Sequence, residues 1–412
     1  MRRQRAVSCC NWYQVEPDGA CPKAMMKSAG HLDLSHRQKR RALTEAVHMR
    51  DTRIDIIRGF AMVTIIINHF SLLASRLGLQ GPQIPTTTTV SISSAAAIFV
   101  ALSGYMVGMV YTKKVDAGWI LLRRAGKLYA WNFALFLAAA LFTLIAGHGY
   151  NSVLRLTPIV ETPYQAFLYF AILAYGPFLL EILHLYIILL LISPLAISLL
   201  RRSPVLLIVF SVLIYCAFQI GFRLTPDIGG SPNPLETDRW RFHPVAWQLM
   251  FFVPMAAGNA KLHERAFQLL EARPQIFWVS LAIFAAIGVV INMPEAPHIF
   301  LADRGTLGPI RFAHALLVLV VYAGLVTLLR EYLSNPLLQA LAVIGRHSLN
   351  VFLLSTVLTF VATYAWQQWS LGWVGYVALT ACLLILVWVA ANYWDMRKVS
   401  RAKRPALSNR AL

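Results

Sequence analysis

Arg58 and His69 are the pair whose types and spacing point to chemistry. They stand in the run Arg53-Ile54-Asp55-Ile56-Ile57-Arg58-Gly59-Phe60, which continues as an apolar stretch to Ile67-Asn68-His69. On an α-helix, at about 100° per residue, His69 returns to within about 20° of the face that carries Arg58, roughly 16 Å further along the axis. Ionisable groups inside an apolar helix are costly, and each is a candidate functional group unless it reaches the interface. A guanidinium pairs bidentately with phosphate, and a neutral imidazole takes a proton from a hydroxyl. The pair therefore suits one cavity with an anionic cofactor at one end and a hydroxyl acceptor at the other. Two structural alternatives stand beside this reading: Arg58 with Asp55 as an interfacial ion pair that snorkels, and His69 as a helix-packing hydrogen bond.

The elements that must hold such a pair follow from composition. Hydrophobic residues make up 58% of the chain and charged residues 13%, so lipid rather than water is the main solvent. Apolar runs of about 17 to 23 residues recur, each long enough to cross roughly 30 Å of hydrocarbon as a helix. The expected fold is all-α, a polytopic integral membrane bundle of about ten helices with both termini cytoplasmic. Spans are predicted near 54–72, 90–111, 127–147, 182–200, 204–222, 244–260, 275–292, 309–329, 346–364 and 371–393. A further apolar stretch, 164–180, would invert the later basic connections if it crossed, so it reads as re-entrant or interfacial.

The net charge of +19 would point to nucleic acid in a soluble protein. Here the basic residues cluster in the N-terminal tail, at Lys113, Lys114, Arg123, Arg124 and Lys127, at Arg201 and Arg202, at Lys261, Arg265 and Arg273, at Arg330, and from Arg397 to Arg410. With ten spans all of these fall on one side, as the positive-inside rule requires, and no nucleic-acid partner is implied. The connections 73–89, 148–163, 223–243 and 293–308 then lie outside, the last two carrying Asp227, Glu236, Asp238, Glu295, Asp303 and Arg304, and they can receive a polar substrate. Residues 1–48 read as a disordered basic tail, with Met49 as an alternative start, residues 49–396 as the membrane domain, and residues 397–412 as a second basic tail. Cys9, Cys10, Cys21, Cys216 and Cys382 show neither a disulfide framework nor a metal-ligand spacing, so no metal is expected.

Further candidates lie along the later helices. Gly104 and Gly108 form a GxxxG beside Ser103 and Tyr105, which reads first as helix packing. His184, Trp247, Gln248, Arg311 and His314 are polar groups at or inside spans, and Arg346 opens the ninth span, where it binds phosphate or anchors the helix at lipid headgroups. Walker, zinc-protease and nucleophile-elbow patterns do not occur.

Several blocks, in order, resemble the OpgC family, membrane proteins implicated in succinylating osmoregulated periplasmic glucans and related to the acyltransferase-3 superfamily. They are Arg53-x-Asp55-x-x-Arg58-Gly59 with His69, Phe99 to Tyr105, Leu183-His184-Leu185-Tyr186 with Pro194, Phe242 to Leu249, and Gly345-Arg346-His347-Ser348-Leu349-Asn350-Val351-Phe352. The chain departs from the family pattern at Ser93-Ser94-Ala95-Ala96, where an acidic residue is expected in a Ser-Asp-Ala-Ala-Glu type run. The resemblance implies ten spans, a multi-pass protein of the bacterial inner membrane, and acyl transfer from an acyl-CoA co-substrate, succinyl-CoA, to hydroxyls of a periplasmic glucan, with no cofactor bound permanently. It makes the Arg58 to His69 spacing catalytic, with Asp55 as the third member. Ser103, Tyr105, His184, Trp247, Gln248, Arg311 and His314 are then candidates for substrate binding, and Arg123, Arg124 and Arg346 for holding the CoA phosphates. An ordinary imidazole titrates near 6.5, so a neutral base is available at neutral pH. A secondary transporter or exporter of a glycan or lipid-linked intermediate is the rival reading, since it also explains many helices and intramembrane charge.

Overall fold

The computed structural model describes residues 51–408, apart from 94, 146, 225–240 and 295–300. The expected tail at 1–48, residues 409–412 of the expected tail at 397–412, and Ser94, Asp227, Glu236, Asp238 and Glu295 lie outside the described residues, while residues 397–408 continue the last helix. Within them the fold is all-helical, without a strand. In chain order the helices are α1 Thr52–Arg76, α2 Ala95–Tyr111, α3 Ala117–Phe142, α4 His148–Val153, α5 Thr157–Glu161, α6 Pro163–Ala171, α7 Glu181–Arg202, α8 Pro204–Leu224, α9 Pro244–Trp247, α10 Leu249–Asn259, α11 Leu262–Ala272, α12 Gln275–Ile291, α13 Pro309–Leu328, α14 Pro336–Arg346, α15 Ser348–Gln368 and α16 Gly372–Ser408.

Seven of these, α1, α3, α7, α8, α13, α15 and α16, are long and apolar enough to cross a membrane, and α11 with α12, bent by 95°, passes as a pair. The chain is a multi-pass membrane protein. Proline sets several boundaries: Ser203 is extended ahead of Pro204, which ends α7 and opens α8, and α13 and α14 open on Pro309 and Pro336. α6 has nine residues, about 14 Å of rise, and beyond it the backbone turns through left-handed Leu173 and Leu179. The stretch 164–180 therefore does not cross as one helix. α3 starts ten residues earlier than expected, so Arg123, Arg124 and Lys127 belong to its first turns; long basic side chains near a helix end reach the interface without ending the helix.

The apolar surface sorts the helices. In α1 and α7, 61% of the spanning window is buried against protein, whereas in α8 and α16 the figure is 28%, which places α1 and α7 centrally and the other pair toward lipid. Close helix approaches position α1 and α2. A Cβ on Gly104 or Gly108 would strike the carbonyl of Phe251 or Met255 on α10, and one on Gly258 would strike the Tyr105 carbonyl, so the GxxxG face of α2 lies against α10 at backbone distance. Gly59 and Gly345 hold α1 against α14 in the same way. At the Arg76 end of the bundle, the Thr-rich connection folds back over α1: Thr86 Oγ1 donates to Asn68 Oδ1 at 2.5 Å, and Ile84 N donates to Tyr376 Oη of α16 at 3.1 Å.

Candidate functional site

The central helix α1 forms one wall of a cavity of about 250 Å3 at the Arg76 end. Ile65, Asn68, His69 and Leu72 of α1 line it, with Ala95, Ala96 and Phe99 of α2, Glu181 and Ile182 of α7 and Phe352 of α15. Its other walls are connections, which supply Gln83, Thr88, Thr89, Phe178, Leu179, Arg241, Phe242 and Arg304. His69 sets its ring edge against Phe352 at 5.9 Å between centroids, and its Nδ1 is buried without a hydrogen-bond partner among the described residues. Asn68 has its oxygen occupied by Thr86, while its buried Nδ2 has no such partner. Buried polar atoms are usually paired, so these two, on adjacent residues of one cavity wall, are free to bond a molecule that enters the cavity. Ala95 and Ala96 leave this wall small and uncharged.

Arg58 is not part of that wall. Its Nη2 donates to Ser348 Oγ at 2.6 Å, and its Nη1 stands 3.7 Å from Asp55 Oδ1, with Asp55 buried where α14 crosses. Both Arg58 and His69 thus turn toward α15, one to Ser348 and the other to Phe352. A second cavity, apolar and about 330 Å3, lies toward the Thr52 end between Ile54 and Ile57 of α1, Leu102 and Tyr105 of α2, and α11. The eleven-residue step from Arg58 to His69 also relates Ile54 to Ile65 and Ile57 to Asn68, so one face of α1 borders both cavities in turn.

The remaining candidates divide by location. Tyr105 bonds to His263 Nδ1 at the second cavity, and Ser103 is buried in α2 without lining the first. His184 is buried against Phe170, with centroids 5.0 Å apart, and its Nε2 has no partner among the described residues. Gln248 exchanges hydrogen bonds with Ser211 of α8, its Oε1 accepting at 2.6 Å and its Nε2 donating at 2.8 Å, which is helix packing. Arg311 ties two connections together, donating from Nε to the Ala302 carbonyl at 2.9 Å and from Nη1 to the Ile92 carbonyl. His314 Nδ1 bonds Ser93 Oγ at 2.9 Å. Trp247 is fully buried and donates from Nε1 to the carbonyls of Arg304 at 3.0 Å and Gly305 at 3.1 Å, so it shapes the cavity from behind. Arg124 donates to Tyr111 Oη at 2.9 Å, Arg123 stacks on Trp119, and Arg346 pairs with Asp395 at 3.1 Å; no described contact joins Arg346 to the other two.

Residues 50–399 match the family model described as OpgC protein. The chain belongs to the OpgC family. No curated protein and no solved structure matches it.

The charged wall of this OpgC cavity carries residues that spacing along one helix does not point to. Glu181 opens α7, where a carboxylate suits the helix dipole, and its Oε1 lies 2.8 Å from Arg155 Nη1 and 3.0 Å from Arg241 Nε. Phe178 takes both Arg76 and Arg241 over its ring, at 4.8 and 4.7 Å. Arg304 lines the cavity from its exposed rim; desolvation by the protein atoms packed around its guanidinium, and then the like charge of Arg241, push its pKa below the usual guanidinium range, against the pull of Glu181 and Asp303. A signal for this wall existed in the sequence. Arg76, Arg155, Arg241 and Arg304 fall in or beside the connections assigned to the side opposite the basic clusters, so topology gives no reason for them.

Proposed function

We propose that this OpgC chain is a membrane O-acyltransferase that moves an acyl group, succinyl, from acyl-CoA to hydroxyls of a periplasmic glucan. The observation that carries the reading is His69, a base with an unpartnered buried nitrogen in the wall of a cavity that the connections also line. The acceptor hydroxyl attacks the thioester carbonyl while the His69 imidazole takes its proton. The carbon–sulfur bond then breaks, and the thiolate leaves with that proton, giving the ester and free CoA thiol. The Asn68 amide keeps an N–H to donate to the carbonyl oxygen as negative charge develops there, a kind of contact worth about 10² to 10³ in rate. Arg58, held by Ser348 and Asp55, sets the α1 to α15 contact beneath this site, and Arg123, Arg124 and Arg346 meet the CoA phosphates at the Thr52 end.

The same reading takes the chain as ten spans in the bacterial inner membrane with both tails cytoplasmic. Counting the bent α11–α12 pair, α2, and the broken α9–α10 helix with the seven long helices supports that number. The Thr52 end then faces the CoA pool and the Arg76 end faces the glucan.

Membranes holding the protein, incubated with radiolabelled succinyl-CoA and glucan, test the reading. Label is expected in the glucan, with at least a hundredfold loss in His69→Ala, from the about 10² to 10⁴ that general-base help supplies. Activity above about a tenth of wild type in that variant would sink the role given to His69, and glucan movement without label would favour transport instead.

A further inference from the structure

The His69 cavity is two-sided. Ile65, Leu72, Phe99, Ile182 and Phe352 give it an apolar flank, and two guanidiniums, those of Arg241 and Arg304, enter from the connections. Among the described residues the only carboxylate on its wall is Glu181, which Arg155 and Arg241 already share. Asp303, the other carboxylate in the field of Arg304, is taken up by its own turn: its Oδ2 accepts from Thr306 N at 2.7 Å and from Thr306 Oγ1 at 2.8 Å. The Arg304 guanidinium makes no hydrogen bond or ion pair to a described residue, while its backbone is pinned by Trp247. Arg241 is held in place by Phe178 and Glu181. Guanidiniums in excess of carboxylates among the described residues at the rim of one cavity are the arrangement that binds an anion.

We propose that Arg241 and Arg304 form a subsite for an anionic group, a carboxylate or a phosphate, carried by one of the two molecules that react at His69. The proposal rests on the acyl-transfer reading and gives it a substrate class. A volume of about 250 Å3 lies below the roughly 300 to 1,000 Å3 of sites for drug-sized ligands, so it suits a short acyl group with its tip in the arginines, or a single sugar ring bearing the charge. The apolar flank faces the carbon chain or the sugar ring, and the Arg304 fork takes two oxygens of the anion. The charge comes either from the far end of a dicarboxylic acyl donor or from a phosphate ester on the acceptor.

The test uses the full chain in lipid nanodiscs, with succinyl-CoA or its neutral analogue of equal chain length, butyryl-CoA, and with neutral glucan or a phosphorylated glucan of the same length. Arg304→Gln is the principal variant, because Arg304 holds no described ion pair, and Arg304→Lys restores the charge without the fork. If the anion is the donor's, the ratio of succinyl to butyryl transfer falls by about tenfold or more in Arg304→Gln, the order of one lost charge-assisted contact, and recovers in part in Arg304→Lys. If it is the acceptor's, that ratio holds and the preference for phosphorylated over neutral glucan is lost instead. Equal loss over all donors and acceptors overturns the subsite and leaves Arg304 a structural residue. Should the wild type transfer neither acyl group, the acyl-transfer reading fails by itself, and the subsite is judged on binding. A rise in melting temperature with succinate or inorganic phosphate, absent in Arg304→Gln, then supports it, and no rise in either protein overturns it.

Discussion

Trp247 Nε1 donates to the carbonyl oxygen of Arg304 at 3.0 Å, joining a fully buried indole of α9 to the connection that carries a cavity arginine. The same connection is held by His243 N donating to the Gly305 carbonyl at 2.8 Å and by Arg311 Nε donating to the Ala302 carbonyl at 2.9 Å. Trp247→Phe keeps most of the ring volume and removes the indole donor, at a cost of about 1 kcal/mol, while the Gly305 carbonyl keeps the His243 N–H and the Arg304 carbonyl keeps the Leu307 N–H. The expected outcome is a folded protein whose acyl transfer falls several-fold, in line with the sensitivity of catalysis to small misplacement. Transfer rates of purified Trp247→Phe beside wild type, with melting curves of both, check it.

Arg58 is engaged in structure, so its loss is expected to act on stability as well as on transfer. Arg58→Ala takes the cation from buried Asp55 and the donor from Ser348, and is expected to cost between about 1 and 3 kcal/mol. The double variant Arg58→Ala with Asp55→Asn should melt higher than Arg58→Ala alone. A double variant that melts no higher would show that the pair does not contribute to holding α1.

Backbone-distance packing of α2 on α10 makes Gly104 intolerant of any side chain. Gly104→Val is expected to lose most folded protein, since overpacking costs about 1 to 3 kcal/mol even where the neighbour can shift, and here the neighbour is the Phe251 carbonyl. Gly126→Val in α3 supplies the control, because no other part of the structure stands within 4 Å of its added Cβ. Detergent-extracted yield, measured by size-exclusion chromatography, should separate the two variants clearly.

The proposed ten-span arrangement makes a sidedness prediction. With all five cysteines (Cys9, Cys10, Cys21, Cys216 and Cys382) replaced by serine, a membrane-impermeant maleimide added to intact cells should label Thr162→Cys and leave Ser203→Cys unlabelled until the membrane is opened. Labelling of both from outside would refute the order of spans across α6 and α7.

Much of the helical architecture was legible because it is a local property. Runs such as 204–222 and 309–329 are long enough that lipid dictates helix, and the observed α8 and α13 follow them closely. The elements that escaped are too short to span: α11 and α14 have eleven residues each. α11 contains His263, Glu264 and Arg265 and reads as a connection, yet it lies at 95° to α12 with its apolar face over the second cavity. α14 reads as the approach to the ninth span, yet it is a separate helix held against α1 by Gly59 and Gly345.

The candidate site divides along the same line. The sequence by itself determined that Arg58 and His69 repeat on one face of one helix, because the helical period is a property of the backbone and needs no partner. Only the tertiary structure decided that Ile57, rather than Arg58, borders the second cavity, and that Arg241 and Arg304 reach the His69 cavity from connections far along the chain. Their positions depend on long-range bonds such as those from Trp247 to the Arg304 carbonyl and from His243 N to the Gly305 carbonyl. A loop has no period of its own, so its side chains acquire a direction only when distant residues hold its backbone.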